Sequence, residues 1–518
     1  MAALIPSAPV NLPRTRNLIL ALMCGLIGAR IVLHVALYAA GFQALTADEF
    51  GRTVVAEIWS RNPAPILYGP WLPFHAYFFG TLLSVNFDML WMPRIVAIVF
   101  GAASIALMFV LARQLFKSNW IALISVALLA VNPAHIWLSS VPLTEIMQAA
   151  FLLAFAALHA RWIETARPRH LLLCAACLGI ATTIRFEAWL FGLVFSALLA
   201  WNVWRMPTRR NMPVAVLALA LVWIFPTTWV VGNAAITGDP LFFIESKKQF
   251  DFKWYGSGQS YLAYLLTYLH VDPIATVLVV PAFAALVLRR PRMNAAIQHA
   301  LLVAGSTALY IASQRGYVQP QGNYVRYLAV FLFMAYPLIA WLVVQVTSRL
   351  FRHNQARVVA LVAALAVVIL VQLRSAFAFV NDPAGEGVRI GQRLRALRAA
   401  HPSDVPYALI ELNHFQYLAM HVGANDMTHL IYDRPLDLQA LNSTPTALTR
   451  AVLLACDAKY HFGYVVMRDS RLKTMVEDAL PVQRLDDIDG YTLYAVSRTT
   501  NAAQVAPGTC PLVIGTGY

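Results

Sequence analysis

Apolar runs of about 20 residues, each closed by Arg or Lys, recur along this chain, and that length matches the hydrocarbon thickness of a bilayer. A segment buried in lipid must satisfy its own backbone hydrogen bonds, so these runs are helices. Eleven fit the pattern: residues 18–40, 91–111, 120–136, 142–160, 170–184, 188–204, 214–231, 273–288, 295–312, 327–346 and 358–373. Two shorter aromatic-rich stretches, 71–87 and 261–270, read as helices lying in the interface. With 59% hydrophobic and 12% charged residues, the chain falls far from the roughly 25% charge of a soluble protein.

The net charge of +14 does not point to nucleic acid. Its basic residues sit in short clusters between apolar runs, such as Arg113 with Lys117, Arg205 with Arg209 and Arg210, and Arg289 with Arg290 and Arg292. This is how topology signals are distributed, and they place those ends in the cytoplasm. Residues 1–16 are then a cytoplasmic N-terminus, and 18–40 is an uncleaved anchor rather than a removed signal. An odd number of spans leaves the C-terminus outside. From about residue 381 the composition changes to an Arg-rich helix (385–400) followed by short strands at 407–411, 428–432, 463–467 and 491–496. A helix pattern at 445–456 lies between them, which suggests a small α/β domain. The expected organisation is a cytoplasmic 1–16, a transmembrane body over 17–380 with an external loop at 41–90, and an extracytoplasmic α/β domain over 381–518.

Cysteine adds little. Cys174 and Cys177 form a C-x-x-C inside an apolar run, where packing is the ordinary use, as for Cys24. Cys456 and Cys510 lie in the polar C-terminal part, where a disulfide is open to them in an oxidising compartment.

The external loop 41–73, GFQALTADEFGRTVVAEIWSRNPAPILYGPWLP, holds the strongest functional signal. Ionisable groups at a bilayer edge are costly and usually functional. Asp48 and Glu49 are adjacent carboxylates there; capping a helix that starts near Phe50 is the bland role, and proton transfer is the catalytic one. Tyr68, Trp71 and His75 follow as candidate substrate contacts. His34, His75 and His135 have no metal-ligand spacing and are ordinary as structural histidines. Glu145 opens the fourth span, Arg185 and Glu187 flank the end of the fifth, and Arg326 with Tyr327 opens the tenth. For these, dipole compensation, a mutual ion pair and snorkelling are the structural alternatives to a shared cavity. An inward Arg would suit a phosphate. Lys247 is a loop cation that is either solvated or part of the same site.

In order and spacing, these elements resemble the GT-C type of integral-membrane glycosyltransferases, in particular the protein mannosyltransferase and aminoarabinose transferase branch (glycosyltransferase family 39). The likeness spans roughly residues 15–375. It rests on Asp48-Glu49 after the first span, Tyr68-Gly69-Pro70-Trp71-Leu72-Pro73, Met92-Pro93-Arg94, Thr144-Glu145, Gly238-Asp239-Pro240-Leu241-Phe242 and Arg326-Tyr327. The Pro/aromatic match is loose, and the C-terminal part matches nothing in the family.

The resemblance implies an all-α polytopic GT-C-like domain and a multi-pass location in a bacterial inner membrane. It also implies inverting transfer of a sugar from a polyprenyl-phosphate donor to a lipid, glycan or protein acceptor. In that reading Asp48 or Glu49 is catalytic, and Glu145, Arg185, Glu187, Arg326, Tyr327, Tyr68, Trp71, His75 and Lys247 contact substrate. The branch implies no metal and no cofactor besides the lipid-linked donor, and no nucleic-acid partner. Two alternatives stay open at this level: a polytopic transporter or flippase, and a non-catalytic scaffold of envelope assembly. A transporter would place charges in span middles or show paired halves, whereas here they collect at one face.

Overall fold

The computed structural model describes residues 13–205, 211–246, 261–289, 293–313, 324–351, 353–377, 385–400, 405–413, 416–434, 446, 448–497 and 510–512. The membrane body is helical throughout: α1 (Pro13–Ala39), α2 (Asp48–Arg61), α3 (Phe74–Val85), α4 (Trp91–Phe116), α5 (Asn119–Val131), α6 (Pro133–Leu138), α7 (Thr144–Thr165), α8 (Pro168–Ile184) and α9 (Glu187–Arg205). It continues as α10 (Met212–Thr237), α11 (Tyr261–Val271), α12 (Pro273–Arg289), α13 (Ala295–Ser313), α14 (Tyr324–Leu350) and α15 (Asn354–Phe377). Among the described residues, seven helices (α1, α4, α7, α9, α10, α13 and α14) are long and apolar enough to cross a membrane. The shorter apolar helices α5, α8 and α12, with a segment of α15, fall on the remaining expected spans. α7 and α14 run through the centre of the bundle, while α1 lies at its edge with most of its surface outward.

The expected third span, 120–136, is instead broken. α5 stops at Val131, and the Asn132 side chain accepts the His135 amide at 3.0 Å to start α6, with Pro133 at its first position. Asn before Pro cannot easily continue a helix and is a good cap for a new one. The break leaves carbonyls at the end of α5 without helical partners. Arg30, buried within α1, donates to the Ala130 carbonyl at 2.8 Å and to Ser139 Oγ at 2.9 Å. His135 bonds Ser104 Oγ at 2.7 Å, and His34 bonds Ser140 Oγ at 2.8 Å. Both histidines are thus structural, His34 joining α1 to the broken segment and His135 joining that segment to α4.

Helices also meet closely where glycine permits it: a Cβ on Gly179 of α8 would fall 2.4 Å from the Leu221 carbonyl of α10. Small residues at such contacts let backbones approach without a hydrophobic driving force.

The C-terminal unit is α16 (Glu386–Arg398), β1 (Tyr407–Ile410), α17 (Gln416–Ala424), β2 (Leu430–Tyr432), α18 (Arg450–Tyr460), β3 (Phe462–Met467), α19 (Ser470–Ala479), β4 (Val482–Ile488) and β5 (Tyr491–Val496). Its sheet runs β2-β1-β3-β5-β4, parallel from β2 to β3 and antiparallel beyond. β4 was not evident as a strand because Arg484, Asp486 and Asp487 interrupt any apolar alternation; charged residues are ordinary on an edge strand. The arginines of α16 are paired: Arg393 with Asp486 at 2.6 Å, Arg398 with Asp426 at 2.7 Å, and Arg389 with Asp489. Cys456 and Cys510 form a disulfide.

Candidate active site

The ends of α2, α7, α8, α9 and α14 converge and bring ionisable side chains to the same place. Asp48 occupies the first turn of α2, where free amides favour a carboxylate. Arg326, at the start of α14, donates through Nη2 to Asp48 Oδ2 and to the Tyr327 hydroxyl, the latter at 2.8 Å. Its Nε lies 3.4 Å from Glu145 Oε1, in the first turn of α7. Arg185, at the end of α8, donates to the same Glu145 oxygen at 2.9 Å, to Thr144 Oγ1 at 3.2 Å, and to both oxygens of Glu187 at 2.8 and 3.0 Å. The Tyr327 ring lies 4.8 Å from the Arg185 guanidinium carbon and 4.8 Å from that of Arg326. Asp48, Glu145, Arg185, Glu187, Arg326 and Tyr327 therefore form one connected cluster.

Arg52 completes it. One turn after Asp48 on α2, it is buried and interacts electrostatically with Glu145, Asp48, Arg185 and Arg326. Its guanidinium sits 4.8 Å over the Trp71 ring, and its Nη1 is 3.4 Å from His75 Nδ1. His75 Nδ1 is also 3.0 Å from the Leu72 carbonyl, which holds the proton on that nitrogen and leaves Nε2 buried without a partner among the described residues. Arg52 Nε and Arg326 Nη1 are likewise buried donors that make no hydrogen bond among the described residues. Buried guanidinium N–H groups without acceptors are costly, and an anion supplies acceptors of the right kind.

Three guanidiniums, Arg52, Arg185 and Arg326, face three carboxylates, Asp48, Glu145 and Glu187. Of the carboxylates Asp48 is the most accessible, with its side chain 32% exposed against 0% for Glu145 and 12% for Glu187. Burial raises its pKa, but Arg326, Arg52 and Arg185 outweigh that effect and hold the carboxyl below its ordinary range. Asp48 is thus an ionised, reachable acceptor for a proton or partner for a cation.

Glu49 does not share this place. Successive helix residues point about 100° apart, and Glu49 turns inward to accept the Trp137 Nε1–H at 2.7 Å and the Leu45 amide at 2.9 Å. Burial pushes its carboxyl up to about 8, although these donors pull the other way. Tyr68 is exposed on the segment after α2, and Lys247 lies outside the described residues.

Arg52 and Trp137 were not singled out from the sequence. The spacing Asp48-x-x-x-Arg52 places both on one helix face, a signal available once α2 is recognised. Beside Arg185, Phe186 stacks on Phe243 at 4.7 Å between ring centroids, with Trp189, Phe225, Trp229 and Leu72 around them, an apolar wall flanking the charges. No group of three or more His, Cys, Asp or Glu side chains among the described residues is arranged to hold a metal ion.

Residues 69–229 match the dolichyl-phosphate-mannose-protein mannosyltransferase family. No curated protein sequence matches the chain. Among solved structures, ArnT from Cupriavidus metallidurans bound to undecaprenyl phosphate superposes with a TM-score of 0.60 at 12% identity, covering 91% of this chain and 98% of that one. The apo state of the same protein gives 0.57 at 12% identity, covering 90% and 97%. The oligosaccharyltransferase AglB from Archaeoglobus fulgidus, in complex with an inhibitory peptide and a dolichol-phosphate, gives 0.51 at 12% identity, covering 93% and 75%. The chain has the fold of these proteins: a polytopic helical body with a small mixed sheet near the C-terminus. The resemblance read from the sequence is borne out.

Proposed function

We propose that this chain is a membrane glycosyltransferase that moves a sugar from a polyprenyl-phosphate donor to an acceptor hydroxyl at the extracytoplasmic face. The observation that carries the reading is the cluster itself: a half-buried, ionised Asp48 beside buried guanidiniums of Arg52 and Arg326 that retain donors unused among the described residues, all at one end of a helical bundle. The matched family and the lipid phosphates bound to ArnT and AglB support the donor class.

In this mechanism the donor's phosphate is held by Arg326 and Arg52 through charge-assisted hydrogen bonds, with Arg185 adding positive potential. The isoprenoid chain runs along the apolar wall of Phe186, Trp189, Phe225 and Phe243. An acceptor hydroxyl attacks the anomeric carbon from the face opposite the phosphate, the C–O bond to phosphate breaks, and configuration inverts. Asp48 takes the hydroxyl proton, a step worth roughly 10²–10⁴ in rate. Charge growing on the leaving phosphate is met by guanidiniums already fixed by Glu145 and Glu187, so little reorganisation is needed. The donor is already an activated lipid phosphate, so the reaction needs no nucleotide site. Trp71 and His75 border the same space from α3 and its approach.

The acceptor is a lipid, glycan or protein of the cell envelope, and the membrane is a bacterial inner membrane. The N-terminus is cytoplasmic and residues 381–518 are periplasmic. Mass analysis of envelope glycans and glycolipids from a deletion strain tests the reading. One glycosylated species is expected to disappear, to return with the wild-type chain and to stay absent with Asp48→Asn. Equal rescue by both chains removes Asp48 from the chemistry, and an unchanged glycan profile removes the transferase assignment.

A further inference from the structure

The first external loop carries Asp48 and Arg52, yet α2 alone is a helix of 14 residues whose position must be set from outside. The membrane body holds one side of it. α16 and α17, with Gly385 just before the first and Asn425 just after the second, hold the other at separate points along the loop.

At the loop's start, Gly385 presses on Gln43, where a Cβ on the glycine would fall 2.1 Å from the Gln43 Cβ. Gln43 is itself fixed from below, accepting Arg94 Nη2 on its side-chain oxygen at 3.0 Å and on its carbonyl at 2.9 Å. In the middle, Leu418 of α17 and Trp71 both reach Gly51 of α2, each 3.6 Å from where a Cβ would stand. Val422, one turn on, lines a small cavity together with Gln43, Glu49, Phe50 and Thr53. At the loop's end, Asn425 makes a reciprocal pair: its Oδ1 accepts the Met89 amide at 2.8 Å, and its Nδ2 donates to the Phe87 carbonyl at 3.0 Å. Asn425 has φ +55°, a left-handed conformation that Asn tolerates better than most residues.

The platform behind these contacts is stiff. α16 and α17 touch backbone to backbone, since a Cβ on Gly391 would lie 2.4 Å from the Met420 carbonyl and one on Gly423 would lie 2.3 Å from the Val388 carbonyl. Such close contact leaves little room for the two helices to slide.

We propose that α16 and α17 form a clamp that sets the position of α2, with Asn425 as its positioning residue. The clamp acts on Asp48 and Arg52 through the loop and touches no substrate; its catalytic consequence rests on the function proposed above. Asn is needed because it both donates and accepts: aspartate keeps the shape and loses the donor, whereas glycine keeps the backbone conformation and loses both bonds.

The test uses the full-length chain in lipid nanodiscs, with Asn425→Asp and Asn425→Gly beside Arg393→Ala, which breaks an exposed ion pair on the same unit. Hydrogen exchange is read over residues 41–92, together with the melting temperature. Exchange in that stretch is expected to rise at least tenfold in both Asn425 variants, with the rest of the chain and the melting temperature unchanged, and Arg393→Ala is expected to match wild type. The transfer assay then separates function from fold: kcat falls at least tenfold while KM for the lipid donor holds within twofold. Unchanged exchange in both variants overturns the clamp. Faster exchange with full kcat overturns its catalytic consequence. If the wild-type chain transfers no sugar, the function reading fails while the exchange result still decides the clamp.

Discussion

Glu145→Gln is the substitution that most sharply separates an anion site from a merely structural charge cluster. Glu145 is fully buried, and one of its oxygens lies 2.9 Å from Arg185 Nη1 and 3.4 Å from Arg326 Nε. At an effective dielectric near 20, each contact represents about 5 kcal/mol of raw attraction. Most of this is offset by desolvation, and removing one partner of a buried pair costs about 3–5 kcal/mol in measured cases. Glutamine retains an acceptor, so the expected loss of stability is about 3 kcal/mol at the lower end of that range. The same change leaves three guanidiniums facing only Asp48 and Glu187. A phosphate then restores the missing negative charge. Undecaprenyl phosphate should bind about tenfold more tightly than to wild type, a difference of about 1.4 kcal/mol. Thermal unfolding of the purified protein, titrated with undecaprenyl phosphate and with undecaprenol, reads both effects. The variant should melt lower without lipid and show a larger lipid-induced rise than wild type, with undecaprenol inert. A variant as stable as wild type, or one destabilised with no gain in affinity, refutes the reasoning.

Other outcomes follow from the same geometry. Asp48→Asn should lower turnover by about 10²–10⁴ while leaving donor binding intact or tighter, measured by single-turnover transfer beside equilibrium binding. Trp137→Phe removes a donor from buried Glu49 and should cost about 1–3 kcal/mol in thermal unfolding. Glu49 has a folded pKa of about 8 against an ordinary 4.5, so the folded state holds the proton more firmly than the unfolded one. Its stabilising contribution is complete below pH 4.5 and is lost as pH rises through about 8. The melting temperature should fall across that window, and Glu49→Gln should flatten the fall. Reducing the Cys456–Cys510 bond, which spans 54 residues, should destabilise the C-terminal unit by about 4 kcal/mol on a chain-entropy estimate, followed by exchange in β3 and α18 with and without reductant.

The helical body was legible because lipid allows few solutions: an apolar run of spanning length has to be a helix. Where the reading failed, a local polar signal had been weighed less than hydropathy. Asn132-Pro133 ended the third helix early, and the structure supports that break with Arg30 from α1. α17 and α19 were missed because short amphipathic segments in a soluble-like unit carry no comparable length signal. Cluster residues at the ends of apolar runs stood out because ionisable groups are scarce there: Asp48, Glu145, Arg185 and Arg326 were all named from sequence. Arg52 was not, because its pairing in register with Asp48 becomes a signal only once residues 48–61 are recognised as a helix. Glu49 looked equivalent to Asp48 as a neighbour in sequence; only helix geometry separates the two, sending one to the guanidiniums and the other to Trp137.

Binding of undecaprenyl phosphate to the purified chain, compared between wild type and the Arg52→Met/Arg326→Met double variant, tests the central claim most directly. Saturable binding that undecaprenol does not reproduce, weakened at least a hundredfold in the double variant, is the expected result. Equal binding of both lipids, or unchanged affinity without the two guanidiniums, contradicts it.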